Sequence, residues 1–165
     1  MVLLVDGKQY DKLKAHQLGL AHYAFSTFVF NSRHELLLQK RAVHKYHSGG
    51  LWSNTCCSHP LTSDLTQIKK IAENRLEYEM GISCALEYLF EFQYKSRCGK
   101  LTENEQDYVF IGYSDQTPCV NTDEVCDYKC ANLEHIIQHK SRYPHEYTPW
   151  LHAILDEHYV KLNAI

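Results

Sequence analysis

The chain has 165 residues, 44% of them hydrophobic and 22% charged with both signs mixed, which suits one domain over 1–165 that buries its core without disulfide help. A net charge of −3 argues against a nucleic-acid binder, whose affinity rests on a broadly basic surface, and no apolar run approaches the thickness of a bilayer. Any anionic partner has to meet a local cluster of basic side chains.

Val2 to Val5 followed by Asp6-Gly7 reads as a strand and a tight turn. The stretch is too short for the apolar core of a leader peptide, and the last three residues, Asn163-Ala164-Ile165, are not a peroxisomal address, so a cytoplasmic location is expected. Ala21 to Phe30 alternates well enough for a longer strand, and Leu36 to Gln39 is its expected return partner. From Gly49 to Pro60, glycines, Asn54, Ser58 and Pro60 mark irregular backbone. Asp64 then opens a helix with Gln67 three residues on, as in a capping box. Ile68, Ala72, Leu76 and Met80 form one apolar stripe, Leu65 extends it, and Gly81 supplies the stop.

Leu86 to Tyr94 and Gln106 to Tyr113 read as strands with turn material at Arg97-Cys98-Gly99, and Val125 to Cys130 as a shorter one. Thr148 is the expected N-cap of a closing helix with Pro149 at its first position, running from Trp150 to about Leu162. A mostly β core with helices packed on it is an α+β pattern, and neither a repeat nor a linker divides it.

Seven cysteines, odd in number and lacking a repeated CxxC spacing, write neither a disulfide framework nor a paired zinc knuckle. Eleven histidines are the compositional excess; surface positions explain most, and the rest point to metal or proton chemistry. Glu103-Asn104-Glu105 sends two carboxylates to one face if the segment is extended. Such a pair is costly unless a cation or a shared proton sits between the acids, or unless both are simply solvated at a strand end. Cys57-Ser58-His59 has the same period, and Pro60 favours extended backbone at His59. That pair reads as nucleophile and base, as metal ligands, or as a small packed thiol beside a loop histidine. His16 and His22 flank a turn near Gly19 and could close on an ion with His59, Glu103 and Glu105. Three imidazoles with two carboxylates suit Mn²⁺ or Mg²⁺, and Zn²⁺ by ligand type. Arg75 and Glu79 are i,i+4 on the capped helix: a solvated ion pair, or a phosphate-binding arginine beside a carboxylate that holds Mg²⁺.

Leu38-Gln39-Lys40-Arg41-Ala42, Lys45-Tyr46-His47-Ser48, and the run from Gly50-Leu51-Trp52 to Cys57-Ser58-His59-Pro60 closely resemble the signature of the type 1 isopentenyl-diphosphate isomerases. Tyr78-Glu79-Met80-Gly81, Glu103-Asn104-Glu105 and Tyr147-Thr148-Pro149-Trp150 follow in that family's order. The resemblance implies a Nudix-like α/β/α sandwich with a mixed sheet. It implies an enzyme of isoprenoid biosynthesis that turns isopentenyl diphosphate into dimethylallyl diphosphate by adding one proton and removing another. Matched by motif, His16, His22, His59, Glu103 and Glu105 correspond to the family's divalent-metal site. Cys57 and Glu105 correspond to its acid/base pair, with Glu105 the expected acid and Cys57 thiolate the expected base, and Tyr94 hydrogen-bonds the carboxyl group. Trp150 would face the carbocation, Glu79 resembles the ligand of a second, Mg²⁺ site, and Lys12, Arg41, Lys45 and Arg75 resemble the diphosphate cradle. The partner is then a small-molecule diphosphate, and the expected assembly a monomer or weak dimer.

The Nudix hydrolase box is degenerate: Glu79 and Gly81 survive, but Asn74, Arg75 and Tyr78 stand where the box wants arginine and two glutamates. A diphosphate hydrolase and a non-catalytic metal-binding domain are the competing readings.

Overall fold

The computed structural model describes residues 1–164; Ile165, the last residue of the expected domain, lies outside them. The first strand, β1 (Val2–Leu3), pairs antiparallel with β2 (Gln9–Tyr10), which had no periodicity to announce it. Helix α1 (Lys12–Leu18) follows, its N-terminus capped by Asp11, whose side chain accepts from the Lys14 amide. It ends at Gly19, whose φ of 63° is a left-handed stop that suits glycine. That stop turns the chain into β3 (His22–Phe30).

β3 and β4 (Leu36–Arg41) are antiparallel neighbours as expected, but only the pair Phe30↔Leu36 is in register. Beyond that point β4 diverges to pair with β5 (Trp52–Ser53) and β9 (Val125–Ala131). The freed edge of β3 is taken by β6 (Cys56–Ser58), with Ser26 opposite Cys57. The stretch expected to be irregular therefore contains two short strands, which its glycines and proline bound rather than interrupt.

Helix α2 (Leu65–Met80) has the expected bounds: the Asp64 carboxylate accepts from the Gln67 amide, and Gly81 stops it at φ 65°. Ile68, Ala72, Leu76 and Met80 are fully buried, whereas Leu65, expected on the same stripe, is exposed because it precedes the turn that meets the sheet. β7 (Leu86–Cys98) and β8 (Leu101–Tyr113) form one long hairpin. Arg97 and Cys98, expected in the turn, are still strand, and the reversal is confined to Gly99 and Lys100. Helix α3 (Leu133–Arg142), capped by Asn132, was not foreseen. Helix α4 (Pro149–Asn163) begins at the expected proline. Thr148 has the extended backbone of an N-cap, but its hydroxyl lies 3.4 Å from Ser53 Oγ instead of capping the helix.

The seven-stranded sheet is mixed, because β3 and β8 run parallel while the other pairs are antiparallel. Phe25, Val29 and Phe110 on one face pack against α2; Phe28, Phe30, Phe90, Phe92, Val109 and Ile111 on the other pack against α3 and α4. The result is the expected α/β/α sandwich. Burying a large apolar side chain is worth about 1.5–3 kcal/mol, so the two-residue alternation fixes which face each strand residue takes. No helix among the described residues is long and apolar enough to cross a membrane.

Candidate active site

The same alternation builds the site. Continuing the α4-facing rows of β8 and β7 toward the hairpin tip gives Glu103, Glu105 and Asp107 on one strand and Tyr94 on the next. Glu105 lies directly opposite Tyr94 on one side and His22 on the other. Tyr94 hydroxyl donates to Glu105 Oε2 at 2.7 Å, and His59 Nε2 lies 2.7 Å from Oε1. Cys57, paired across β3 with Ser26, enters the same cleft from β6.

His16, on the last turn of α1, and His22, after the Gly19 stop, complete the group. Five potential ligand atoms, one from each of His16, His22, His59, Glu103 and Glu105, lie within 4.8 Å of one another. His16 Nδ1 is 2.6 Å from the Lys12 carbonyl and His22 Nδ1 is 2.8 Å from the Leu20 carbonyl. A carbonyl only accepts, so each Nδ1 carries a hydrogen and Nε2 is the ring atom turned toward the carboxylates. The two Nε2 atoms face Glu103 Oε2 at 3.2 Å and Glu105 Oε1 at 3.5 Å. Nitrogen and carboxylate oxygen settle this close around either a proton on Nε2 or a cation that both coordinate. Both Nε2 atoms and both Glu103 oxygens are buried and lack a well-aligned hydrogen bond, as expected of ligand atoms shaped for an ion. The residues fit a divalent cation.

A fourth imidazole, His47, was quoted in the signature but given no role; its Nε2 lies 2.9 Å from Glu103 Oε1. Asp107 was also missed: it is buried beneath Glu105 and its Oδ2 accepts from Ser26 hydroxyl at 2.8 Å. The period of two that singled out Glu103 and Glu105 extends to it.

Cys57 keeps a solvent-accessible edge, yet enclosure of its sulfur pushes the thiol up to about 12, against the pull of Arg41. Burial pushes Glu105 upward too, but the His22 and His59 imidazoles beside it hold it well below the usual carboxylate range. Burial brings His59 down to about 4 despite Glu105. Their surroundings thus favour the thiol form of Cys57 and the carboxylate form of Glu105. Tyr94 is raised by burial and by Glu105, so it stays a neutral donor.

A NUDIX domain profile matches residues 20–153. The chain is 46% identical to isopentenyl-diphosphate Delta-isomerase 2 of Aromatoleum aromaticum, over 88% of this chain and 76% of that protein. It is 43% identical to the isopentenyl-diphosphate Delta-isomerase of Pectobacterium atrosepticum, over 85% of this chain and 78% of that one. The chain belongs to the isopentenyl-diphosphate Delta-isomerase family. Among solved structures, a NUDIX hydrolase from Nitrosomonas europaea superposes with a TM-score of 0.61 at 10% identity, covering 84% of this chain and 88% of that one. At that identity the likeness speaks for the fold alone.

The remaining residues matched to the isopentenyl-diphosphate Delta-isomerase pattern gather at the same cleft. It encloses about 500 Å³, solvent at its mouth included, and Lys12, Arg41, Lys45, Arg75, Cys57, Glu105 and Trp150 all line it. Arg41 is buried, its Nη1 4.0 Å from Cys57 Sγ and its guanidinium carbon 4.9 Å from the centre of the Trp150 ring. Trp150 Nε1 donates to Ser53 Oγ at 2.9 Å and Asn54 Oδ1 at 3.0 Å, which locks the indole in place. Lys12 lies over Tyr46 at 5.1 Å, and burial lowers its pKa.

Glu79 stands apart from the five-residue group. Its Oε1 accepts from Arg75 Nε at 2.7 Å and its Oε2 from Gln39 Nε2 at 2.9 Å, so both oxygens are engaged. Arg75 also donates through Nη2 to Glu124 at 2.7 Å, and Lys45 pairs with the same carboxylate. Sequence reasoning missed Glu124 because nothing in its neighbourhood marks a partner 79 positions away.

Proposed function

We propose that the chain isomerises isopentenyl diphosphate to dimethylallyl diphosphate by proton addition and removal, using Cys57 and Glu105 as the acid/base pair within a domain that spans the chain. The observation that carries this reading is that a thiol and a carboxylate enter one cleft from different strands, next to an aromatic ring and four cationic side chains.

Moving the double bond requires a proton at the terminal alkene carbon and loss of one from the methylene on the far side of the central carbon. A tertiary carbocation lies between the two events. Two separate groups are needed, one loaded with a proton and one empty, and a pair that shares one proton meets that condition. Because the reaction is reversible, each group gives in one direction what it takes in the other. The Tyr94 hydroxyl holds Glu105 in one orientation through its 2.7 Å bond, and the burial of Glu105 limits the water that would capture the cation. Trp150 presents an indole fixed by two hydrogen bonds to the reacting carbons, a face that favours positive charge.

His16, His22, His59, Glu103 and Glu105 would hold Mn²⁺, Mg²⁺ or Zn²⁺, and such an ion would neutralise the paired carboxylates and fix their geometry. Lys12, Arg41, Lys45 and Arg75 bind the diphosphate, whose binding energy positions the distant alkene, and Glu79 would hold Mg²⁺ beside it. Diphosphate hydrolysis is the weaker reading, because Asn74, Arg75 and Tyr78 offer no carboxylate to activate water. Incubation with isopentenyl diphosphate and Mg²⁺ tests the choice: acid-labile allylic product without phosphate release supports isomerisation, and phosphate release without allylic product refutes it.

A further inference from the structure

We propose that Glu124 is a positioning residue of the diphosphate cradle, tying Lys45 of the β4–β5 loop to Arg75 of α2 so that both cations face the cleft before substrate arrives. This rests on the functional reading above, and names a residue that neither the signature nor the acid/base chemistry requires.

Glu124 sits just before β9, its side chain 18% exposed, with Oε1 accepting from Arg75 and Oε2 from Lys45. Lys45 and Arg75 line the cleft and Glu124 does not, so the carboxylate backs the cations from behind. Its own backbone is fixed at both sides. The Glu124 carbonyl accepts from the Ala42 amide at 2.9 Å, at the root of the β4–β5 loop, and its amide donates to Asn121, whose own amide bonds the Glu79 carbonyl at 2.9 Å. The carboxylate is therefore presented from a rigid corner between the loop and the end of α2.

The effect on each cation differs. Arg75 Nε is held by Glu79 and Nη2 by Glu124, so a planar guanidinium clamped on two sides keeps its Nη1 edge for a ligand. Lys45 has a flexible four-carbon stem on a loop, and Glu124 is the carboxylate that restrains it. Fixing such a side chain costs rotamer entropy that would otherwise be charged to substrate binding. Glu124 also places a negative charge near the substrate's anion, and this repulsion acts in the opposite sense. Since Lys45 and Arg75 line the cleft and Glu124 does not, we take the orienting effect as the larger one; the sign of the change in pyrophosphate affinity on removing the charge decides it.

The test uses Glu124→Gln, which keeps the shape and loses the charge. Loss of charge-assisted bonds to both cations should raise KM for isopentenyl diphosphate, and the Kd of Mg²⁺-loaded inorganic pyrophosphate by calorimetry, about tenfold. We expect kcat to stay within about twofold. In a Lys45→Met background the same substitution should cost less than it does alone, because part of its effect passes through Lys45. If Glu124→Gln fails to fold, Glu124→Asp, too short to reach both cations, carries the same expectation. Unchanged or tighter pyrophosphate binding, or a fall in kcat with KM unchanged, would overturn the proposal. A wild-type protein that binds Mg²⁺-pyrophosphate but makes no allylic product would sink the functional reading and leave the binding comparison intact.

Discussion

Replacing Trp150 by phenylalanine separates an anchoring role for the indole from a role in the reaction. The ring is 4% exposed and donates to Ser53 Oγ and Asn54 Oδ1 at 2.9 and 3.0 Å. Phenylalanine keeps most of the apolar volume but removes the single N–H shared by both acceptors, at a cost of about 1 kcal/mol. For a chain of this length that loss lowers Tm by about 2–4 °C. The smaller ring also offers a weaker face to positive charge; the whole contact is worth about 0.5–2 kcal/mol at a developing carbocation, so the variant loses a part of that, up to about thirtyfold in rate. Calorimetric Tm and kcat at saturating Mg²⁺, measured well below the Tm of the variant, read the two effects apart. A variant that loses stability but keeps wild-type kcat would refute the electrostatic role and leave Trp150 as a core anchor.

Cys57→Ala should bind Mg²⁺-pyrophosphate within about twofold of wild type while losing about 10²- to 10⁴-fold in turnover; near-normal isomerisation would remove Cys57 from the acid/base pair. Glu79→Gln should shift the Mg²⁺ needed for half-maximal activity upward, and an unchanged Mg²⁺ titration would remove Glu79 from the second ion site. Adding Mn²⁺ to chelator-treated protein at about a hundred times its Kd should stabilise the fold by about 2.7 kcal/mol, seen as a rise of about 5–10 °C in Tm. His16→Ala should abolish that rise, and a variant that keeps it would show that the ion binds elsewhere.

Part of the candidate site was legible because strand geometry repeats every two residues: Glu103 with Glu105, and Cys57 with His59, declare a shared face as soon as their segments are extended. Even so, sequence alone left the strand-end and packed-thiol readings open; the opposed pairs Tyr94↔Glu105 and His22↔Glu105 put Glu105 inside the sheet and not at a solvated strand end. Helix α2 was readable end to end because Asp64 and Gly81 are both local signals. Helix α3 had a comparable signal in Asn132 followed by Leu133 and Ile136, which a search for caps would have found. The partnership of Lys45 and Arg75 with Glu124 had none. Ion pairs between distant segments depend on how loops dock, and no periodicity encodes them. The surroundings that push the Cys57 thiol up and hold Glu105 down, namely enclosure of the sulfur and the imidazoles beside the carboxylate, were equally invisible in sequence, because they depend on how the strands dock.

Turnover of isopentenyl diphosphate in D₂O tests the proposed chemistry most directly. Proton addition by one group and removal by another should place one solvent deuterium in the new methyl group of dimethylallyl diphosphate, detectable by mass spectrometry and NMR, and Cys57→Ala should abolish its formation. Allylic product formed without deuterium would mean that the hydrogen migrates within the substrate, and the separate roles of Cys57 and Glu105 would fall with it.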